Sequence, residues 1–210
     1  MARYSDAVCR LCRREGMKLY LKGDRCFKEK CSFETRKGKI PGQHGAGKMK
    51  KPTGYSLQLR EKQKVKRIYG MLEKQFRSTF AEAAHVTGVT GETLLRFLEL
   101  RLDNMVYRMG FAPNRNTARQ LVRHGHFLLN GKKASIPSIR LKVGDVVDVL
   151  EASRNLDVIQ KSLAANSRRE DLEYVSVDKV KLSGRVLAIP ERAQIPTPAN
   201  EQLIVELYSK

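Results

Sequence analysis

At 210 residues the chain is long enough for one or two domains with a buried core, and 41 Lys+Arg against 22 Asp+Glu give it a formal charge of +19. Self-repulsion on that scale implies a polyanionic partner: RNA, DNA or an anionic membrane surface. No run approaches the roughly 20 apolar residues of a membrane span and no apolar signal core is visible, so neither a membrane nor a secretory setting is expected, and the cytoplasm is. The absence of tryptophan and an aromatic content of 7% disfavour a broad stacking platform for single strands.

The charge is uneven. Residues 1–80 carry 22 basic and 7 acidic side chains, residues 97–145 carry 9 and 3, and residues 151–210 balance at 9 and 9. The polyanion is therefore expected at the N-terminal part and at a central segment, and much less at the tail.

Residues 1–45 are basic, rich in Cys and Gly, and without hydrophobic periodicity, so this segment needs a staple. All four cysteines lie in it: Cys9, Cys12, Cys26 and Cys31, spaced C-x2-C-x13-C-x4-C. Two thiolate pairs can complete one tetrahedral site, and the energy of binding a metal then becomes folding energy. Zinc is the expected ion, one per chain. An iron–sulfur cluster also accepts four thiolates, and reduced thiols or two disulfides are the metal-free alternatives. Arg10, Arg13, Arg14, Lys18 and Lys22 surround the site and are expected to face RNA.

A linker, Ile40 to Lys48, leads to two helices within residues 55–84. Lys48, Lys50, Lys51, Arg60, Lys62, Lys64, Lys66 and Arg67 form a second phosphate-neutralising run, although a solvated helix face explains about half of such side chains equally well. In the second helix Leu72, Phe76, Phe80 and Ala84 form an expected inward stripe. A third helix is expected from about Gly91 to Met109, with Leu94, Leu95, Leu98, Leu102, Met105, Val106 and Met109 on its apolar face. Glu99 and Asp103, on that helix, read as partners of Arg96, Arg101 or Arg108 rather than as an acid–base pair.

A fourth helix is expected over Thr117–His124, capped by Asn116 or Thr117. It aligns Arg115, Arg119 and Arg123, whose guanidinium forks suit phosphate. His124 and His126 follow, and Asn130-Gly131 marks a hairpin with Lys132 and Lys133 at its tip. Further strands are expected over Val146–Val149, residues 172–189 and residues 203–208, with a helix within 154–165.

The whole reads as α+β, with four segments: 1–45, the stapled N-terminal segment; 46–94, a basic helical domain; 95–160, a small inserted α/β RNA-binding module of two helices and short antiparallel strands; and 161–210, a β-containing C-terminal tail packing back on the helical domain. No catalytic constellation is present and no small-molecule substrate is implied. The glycines of Gly42–Lys48 lack the context of a P-loop.

Met1-Ala2-Arg3-Tyr4, Pro41-Gly42-Gln43-His44-Gly45, Leu59 to Lys64, Leu102 to Gly110, Ala118 to His126, Asn130-Gly131-Lys132 and Asn200 to Ser209 stand in the order of one known family. The chain resembles the bacterial-type small-subunit ribosomal protein S-four (uS-four) family, in its four-cysteine form. That resemblance implies zinc at the cysteines and Arg3 among the RNA-binding residues. It implies a primary binder of a small-subunit rRNA multi-helix junction that nucleates assembly of the subunit body. It also implies a place near the mRNA channel entrance beside ribosomal protein five, a contribution to translational accuracy, and autogenous repression in some members. Ala134-Ser135 and Asn114-Arg115-Asn116 depart from many relatives. An RNA-modifying enzyme sharing the central cassette would need a large catalytic domain, for which no residues remain. A zinc-dependent DNA regulator would need a readable recognition helix.

Overall fold

The computed structural model describes residues 4–36, 39–47, 51–165 and 172–209. Arg3, Lys48 and Lys50 of the expected RNA-binding set lie outside them. The chain divides into two compact units, one made of Met1–Thr93 and Thr197–Lys210, the other of Leu94–Pro196.

The first unit opens with α1 (Cys9–Glu15), which ends at Gly16 with φ of 68°, and the short α2 (Ser32–Thr35). Two longer helices follow, α3 (Gly54–Ile68) and α4 (Glu73–Ala84). Thr53 caps α3 by accepting from the Ser56 amide, which satisfies one of the free donors of its first turn. The inward face of α3 is Val65 and Ile68. In α4 the buried residues are Phe76, Thr79 and Ala83, so the expected stripe is rotated: Leu72 is the exposed N-cap residue and Ala84 is exposed.

Residues 203–208 are not the expected strand. They lie in the helix α9 (Glu201–Tyr208), capped by Asn200, whose side chain accepts from the Leu203 amide. Ile204 is fully buried, Glu206 accepts from the Gln58 amide group at 2.9 Å, and the Tyr208 ring stacks on Phe80 at 4.5 Å. One apolar stripe on a helix satisfies these contacts, and the β-branched content of Leu-Ile-Val is overridden.

The second unit begins inside α5 (Thr90–Glu99) and continues with α6 (Leu102–Arg108), where one continuous helix was expected. The break is specific. Arg101 is extended and forms a β-bridge with Arg140, while Leu102 donates to Ile139 O and Leu141 to Leu100 O. The expected apolar face is nonetheless intact: Leu94, Leu95, Leu98, Leu102, Met105, Val106 and Met109 are all fully buried.

α7 (Arg115–Arg123) starts two residues before its expected beginning. Its cap is Asn114, whose side chain accepts from the Thr117 amide at 2.9 Å, rather than Asn116 or Thr117. The strands β1 (Phe127–Leu129), β2 (Lys132–Ala134) and β3 (Val146–Val149) precede α8 (Asp157–Ala165), and β4 (Val175–Asp178) and β5 (Ser183–Val186) follow it. They form one antiparallel sheet of order β2-β1-β3-β5-β4. Asn130 and Gly131 turn β1 into β2 with φ of 50° and 79°, the doubly positive geometry of a type I′ turn. β4 and β5 join the sheet from beyond residue 160, so the β structure expected of the tail belongs to this unit. Met105, Met109, Phe111, Phe127, Val147, Ile159, Tyr174 and Val186 make its core.

Candidate nucleic-acid interface

α7 carries two kinds of arginine. Arg115 and Arg119 are half-buried, whereas Arg123 in the last turn is exposed. Arg115 donates from Nε to Asn104 Oδ1 at 2.8 Å and lies over the Tyr107 ring at 4.5 Å. Arg119 approaches Asp103 at 4.0 Å, and burial, reinforced by the charges of Arg101 and Arg123, lowers its pKa. Asp103 itself is clamped bidentately by Arg101, at 3.0 Å and 2.9 Å, with both side chains about 5% exposed. One buried carboxylate thus anchors two guanidiniums and fixes the base of the arginine row.

The open part of this surface lies at the C-terminal end of α7. Arg123, His124, Lys132 and Lys133 are exposed, and Gly125 is buried between them with φ of 76°. A Cβ on Gly125 would stand 2.3 Å from Lys133 Cε, so the lysine stem passes directly over this glycine. His126 is half-buried, and its Nδ1 shares a 2.8 Å hydrogen bond with Ser153 Oγ. Burial lowers the His126 pKa, with His124 and Lys133 acting in the same direction. Burial thus disfavours charge on His126, which is held by Ser153, while Arg123, Lys132 and Lys133 are the exposed cations of the corner. Glu99 and Asp103 serve as arginine partners as expected, Glu99 pairing with Arg108.

α3 is different. Arg60 and Arg67 both pair with Glu15, whose side chain is 1% exposed, Lys64 pairs with Glu61 at 2.5 Å, and Lys62 and Lys66 share Glu73 at 2.6 Å and 2.8 Å. Lys62 is buried and also lies over the Tyr208 ring. The α3 charges expected to meet phosphate are thus neutralised within the fold, while Lys51, just before α3, is exposed.

In the N-terminal segment Cys9 and Cys12 sit on α1, Cys26 closes a 3-10 turn and Cys31 precedes α2. All four are free thiols, and only Cys9 is not buried. Among the described residues before α3, the buried apolar side chains are Cys12, Leu19, Cys26 and Cys31. Burial raises the Cys12 and Cys26 thiol pKa values, and neighbouring cysteines add to the rise. The Lys22 amide points at Cys26 Sγ at 3.4 Å. Among the described residues no group of three or more His, Cys, Asp or Glu side chains stands in metal-holding geometry. The donor set itself suits a thiophilic ion: four reduced sulfurs where a core would otherwise be. Arg10, Arg14 and Lys22 are exposed beside it, and Arg13 is buried.

Residues 3–99 match the family described as ribosomal protein S4/S9 N-terminal domain, and residues 100–147 match the S4 domain. The chain is 58% identical to the small ribosomal subunit protein uS4 of Geobacter metallireducens, 57% to that of Trichlorobacter lovleyi and 55% to that of Syntrophomonas wolfei, each over 100% of both chains. This chain belongs to the uS4 family.

Within this uS4 chain the S4-domain match covers α6, α7, β1, β2 and the first half of β3, so β4 and β5 complete the sheet from outside the matched segment. Sequence reasoning missed Arg101 as the anchor of the arginine row, because Arg101 reads as one more helical charge until its extended backbone is seen. It also missed Arg140, which lies over the Phe97 ring at 4.1 Å. Among the described residues no helix is long and apolar enough to cross a membrane.

Proposed function

We propose that this chain is a structural constituent of the small ribosomal subunit in a bacterial cytoplasm, and a primary binder of its rRNA rather than an enzyme. The observation that carries the reading is the exposed set Arg123, His124, Lys132 and Lys133, held on a rigid helix–hairpin corner of a uS4-family chain. Point charges spaced by a fixed scaffold recognise the shape of a folded RNA backbone, and phosphate contacts set register rather than read bases. A multi-helix junction presents crowded phosphates, which makes it the fitting substrate and places the chain at an early step of subunit assembly.

Arg10, Arg14, Lys22, Lys51, Arg123, His124, Lys132 and Lys133 are the groups we assign to direct phosphate contact among the described residues, with Arg3, Lys48 and Lys50 added by sequence. Arg115, Arg119 and His126 orient them. Arg60, Lys62, Lys64 and Arg67 act through the fold of α3, each held by a carboxylate. Family membership supports neighbours among small-subunit proteins, with protein five and the mRNA channel entrance the specific assignments, and it supports a contribution to accuracy there. The four cysteines are assigned one zinc ion, supported by their spacing and by the burial of Cys12, Cys26 and Cys31, with Leu19 the one other buried apolar side chain among the described residues before α3. When bound, the ion supplies the cross-link that the segment lacks.

The test is filter binding of the full chain to a small-subunit rRNA junction fragment against an unrelated structured RNA of equal length, at two salt concentrations, with metal analysis of the same sample. Preference for the junction with a steep salt slope and about one zinc per chain is the expected result. Equal weak binding to both RNAs overturns the junction reading.

A further inference from the structure

α1 carries two kinds of group. Cys9, Cys12 and Glu15 stand three positions apart, so Cys12 and Glu15 are neighbours on the helix surface. The cysteines belong to the site assigned to zinc. Glu15 belongs to a different contact: its Oε1 accepts from Arg60 Nη1 at 3.2 Å and from Arg67 Nη1, 45 and 52 residues further along the chain on α3. Among the described residues before α3, the hydrogen bonds that reach α3 are those of Glu15.

The Glu15 side chain is 1% exposed, and its Oε2 is buried with no hydrogen-bond partner. Burial pushes the carboxyl pKa up, and the charges of Arg67 and Arg60 oppose the rise. A carboxylate so placed is tolerated only while the arginines face it. The arginine side chains, 20% and 30% exposed, become uncompensated charges once it leaves. α1 has seven residues, too few to stay helical without outside support. A thiolate cross-link through Cys9 and Cys12 holds it from one side, and the arginine pair holds it from the other.

We propose that Glu15 is a positioning residue that couples metal occupancy of the cysteine segment to α3, because the metal keeps α1 in the helical form that seats Glu15 on Arg60 and Arg67. Loss of the metal lets α1 fray, withdraws Glu15 and frees two guanidiniums on α3. Conversely, loss of the arginine contact weakens the metal, since such coupling is reciprocal by thermodynamic necessity. The inference rests on the assignment of one zinc ion to the four cysteines. It adds to that assignment a distant partner for the site, in a helix that supplies no thiol.

The experiment is zinc uptake by the metal-free full chain, measured by competition against a chromophoric chelator. It compares the natural sequence, Glu15→Gln, Arg67→Gln, the double variant and a control, Lys74→Gln, which removes an exposed charge from α4. Glu15→Gln is expected to bind zinc about fivefold more weakly or worse. Arg67→Gln loses part of that, and the double variant is no weaker than Glu15→Gln, because the contact is already gone. The control keeps the affinity of the natural chain. Unchanged affinity in Glu15→Gln, losses that add in the double variant, or an equal loss in the control overturns the coupling. Should Glu15→Gln lose its helical circular dichroism, Arg67→Gln is read alone: it lies outside the cysteine segment, and unchanged zinc affinity there overturns the coupling equally. A natural chain that takes up no zinc overturns the metal assignment itself, whereas one that takes up zinc without regard to Glu15 overturns the coupling only.

Discussion

Tyr174 donates its hydroxyl to Glu99 Oε1 at 2.9 Å, with both residues fully buried. The same carboxylate oxygen takes the Arg108 guanidinium. Glu99 closes α5 and Tyr174 precedes β4, so residues 75 positions apart secure the two ends of the second unit around one charge. Replacing Tyr174 by Phe removes a donor from a buried carboxylate while keeping the ring. The expected loss is about 1–3 kcal/mol of unfolding free energy, read by urea titration. A variant as stable as the parent would show that the remaining partners of Glu99 satisfy the carboxylate.

Glu73 sets the acid limb of the first unit. Burial opposes its ionisation, but hydrogen bonds from Lys62 and Lys66 outweigh that and pull its pKa from the ordinary 4.5 down to about 2. A depressed carboxyl contributes stability fully present above the unfolded value and lost as pH falls through the folded one, so the window is about pH 4.5 to 2. The side chain is 45% exposed, and screening reduces the contribution to about 1–2 kcal/mol. Glu73→Gln should flatten stability against pH across that window. A stability curve of unchanged steepness there would assign the acid limb to other carboxyls.

The cysteine assignment predicts a localised response to metal. Chelation, or Cys26→Ser, should abolish hydrogen-exchange protection in residues 4–36 and leave residues 94–196 as they were. Retention of N-terminal protection after complete chelation would mean that the thiols act as an ordinary small core.

Gly125→Ala tests the helix–hairpin corner. The added methyl group needs φ of 76° and meets the Lys133 stem, so about 1–2 kcal/mol of strain and a displaced ammonium are expected. Junction affinity should fall several-fold, and Lys133→Ala in the same background should cost nothing more, because the contact is already lost. Additive losses would show that Lys133 does not depend on Gly125 for its position.

Much of this was legible in the chain. The Asn130-Gly131 hairpin, β3, the presence of α3 and α4, and the buried face from Leu94 to Met109 follow from local chemistry, since turn residues and apolar spacing act over a few positions. The break at Leu100-Arg101 was not legible, because its cause is Arg140, some forty residues away, and nothing between Leu100 and Leu102 disfavours a helix. α9 was misread because Ile204 and Val205 favour strands, while its cap, Asn200, stands outside the apolar run. The α3 cations illustrate a different limit. A run of lysines and arginines is visible in sequence, but whether each faces phosphate or a carboxylate depends on where Glu15, Glu61 and Glu73 fold.

Unit one is discontinuous, with Thr197–Lys210 closing what Met1–Thr93 begins. Synthesis runs from the N-terminus, and Gln58, Glu61, Phe80 and Tyr69 therefore wait for Glu206, Asn200, Tyr208 and Thr197 until α9 has been made. The second unit, whole from Leu94 to Pro196, can finish first on a nascent chain. The earliest-made half of the molecule is in this sense the last to mature, and a message truncated before α9 would release a chain with a complete sheet and an unclosed helical unit.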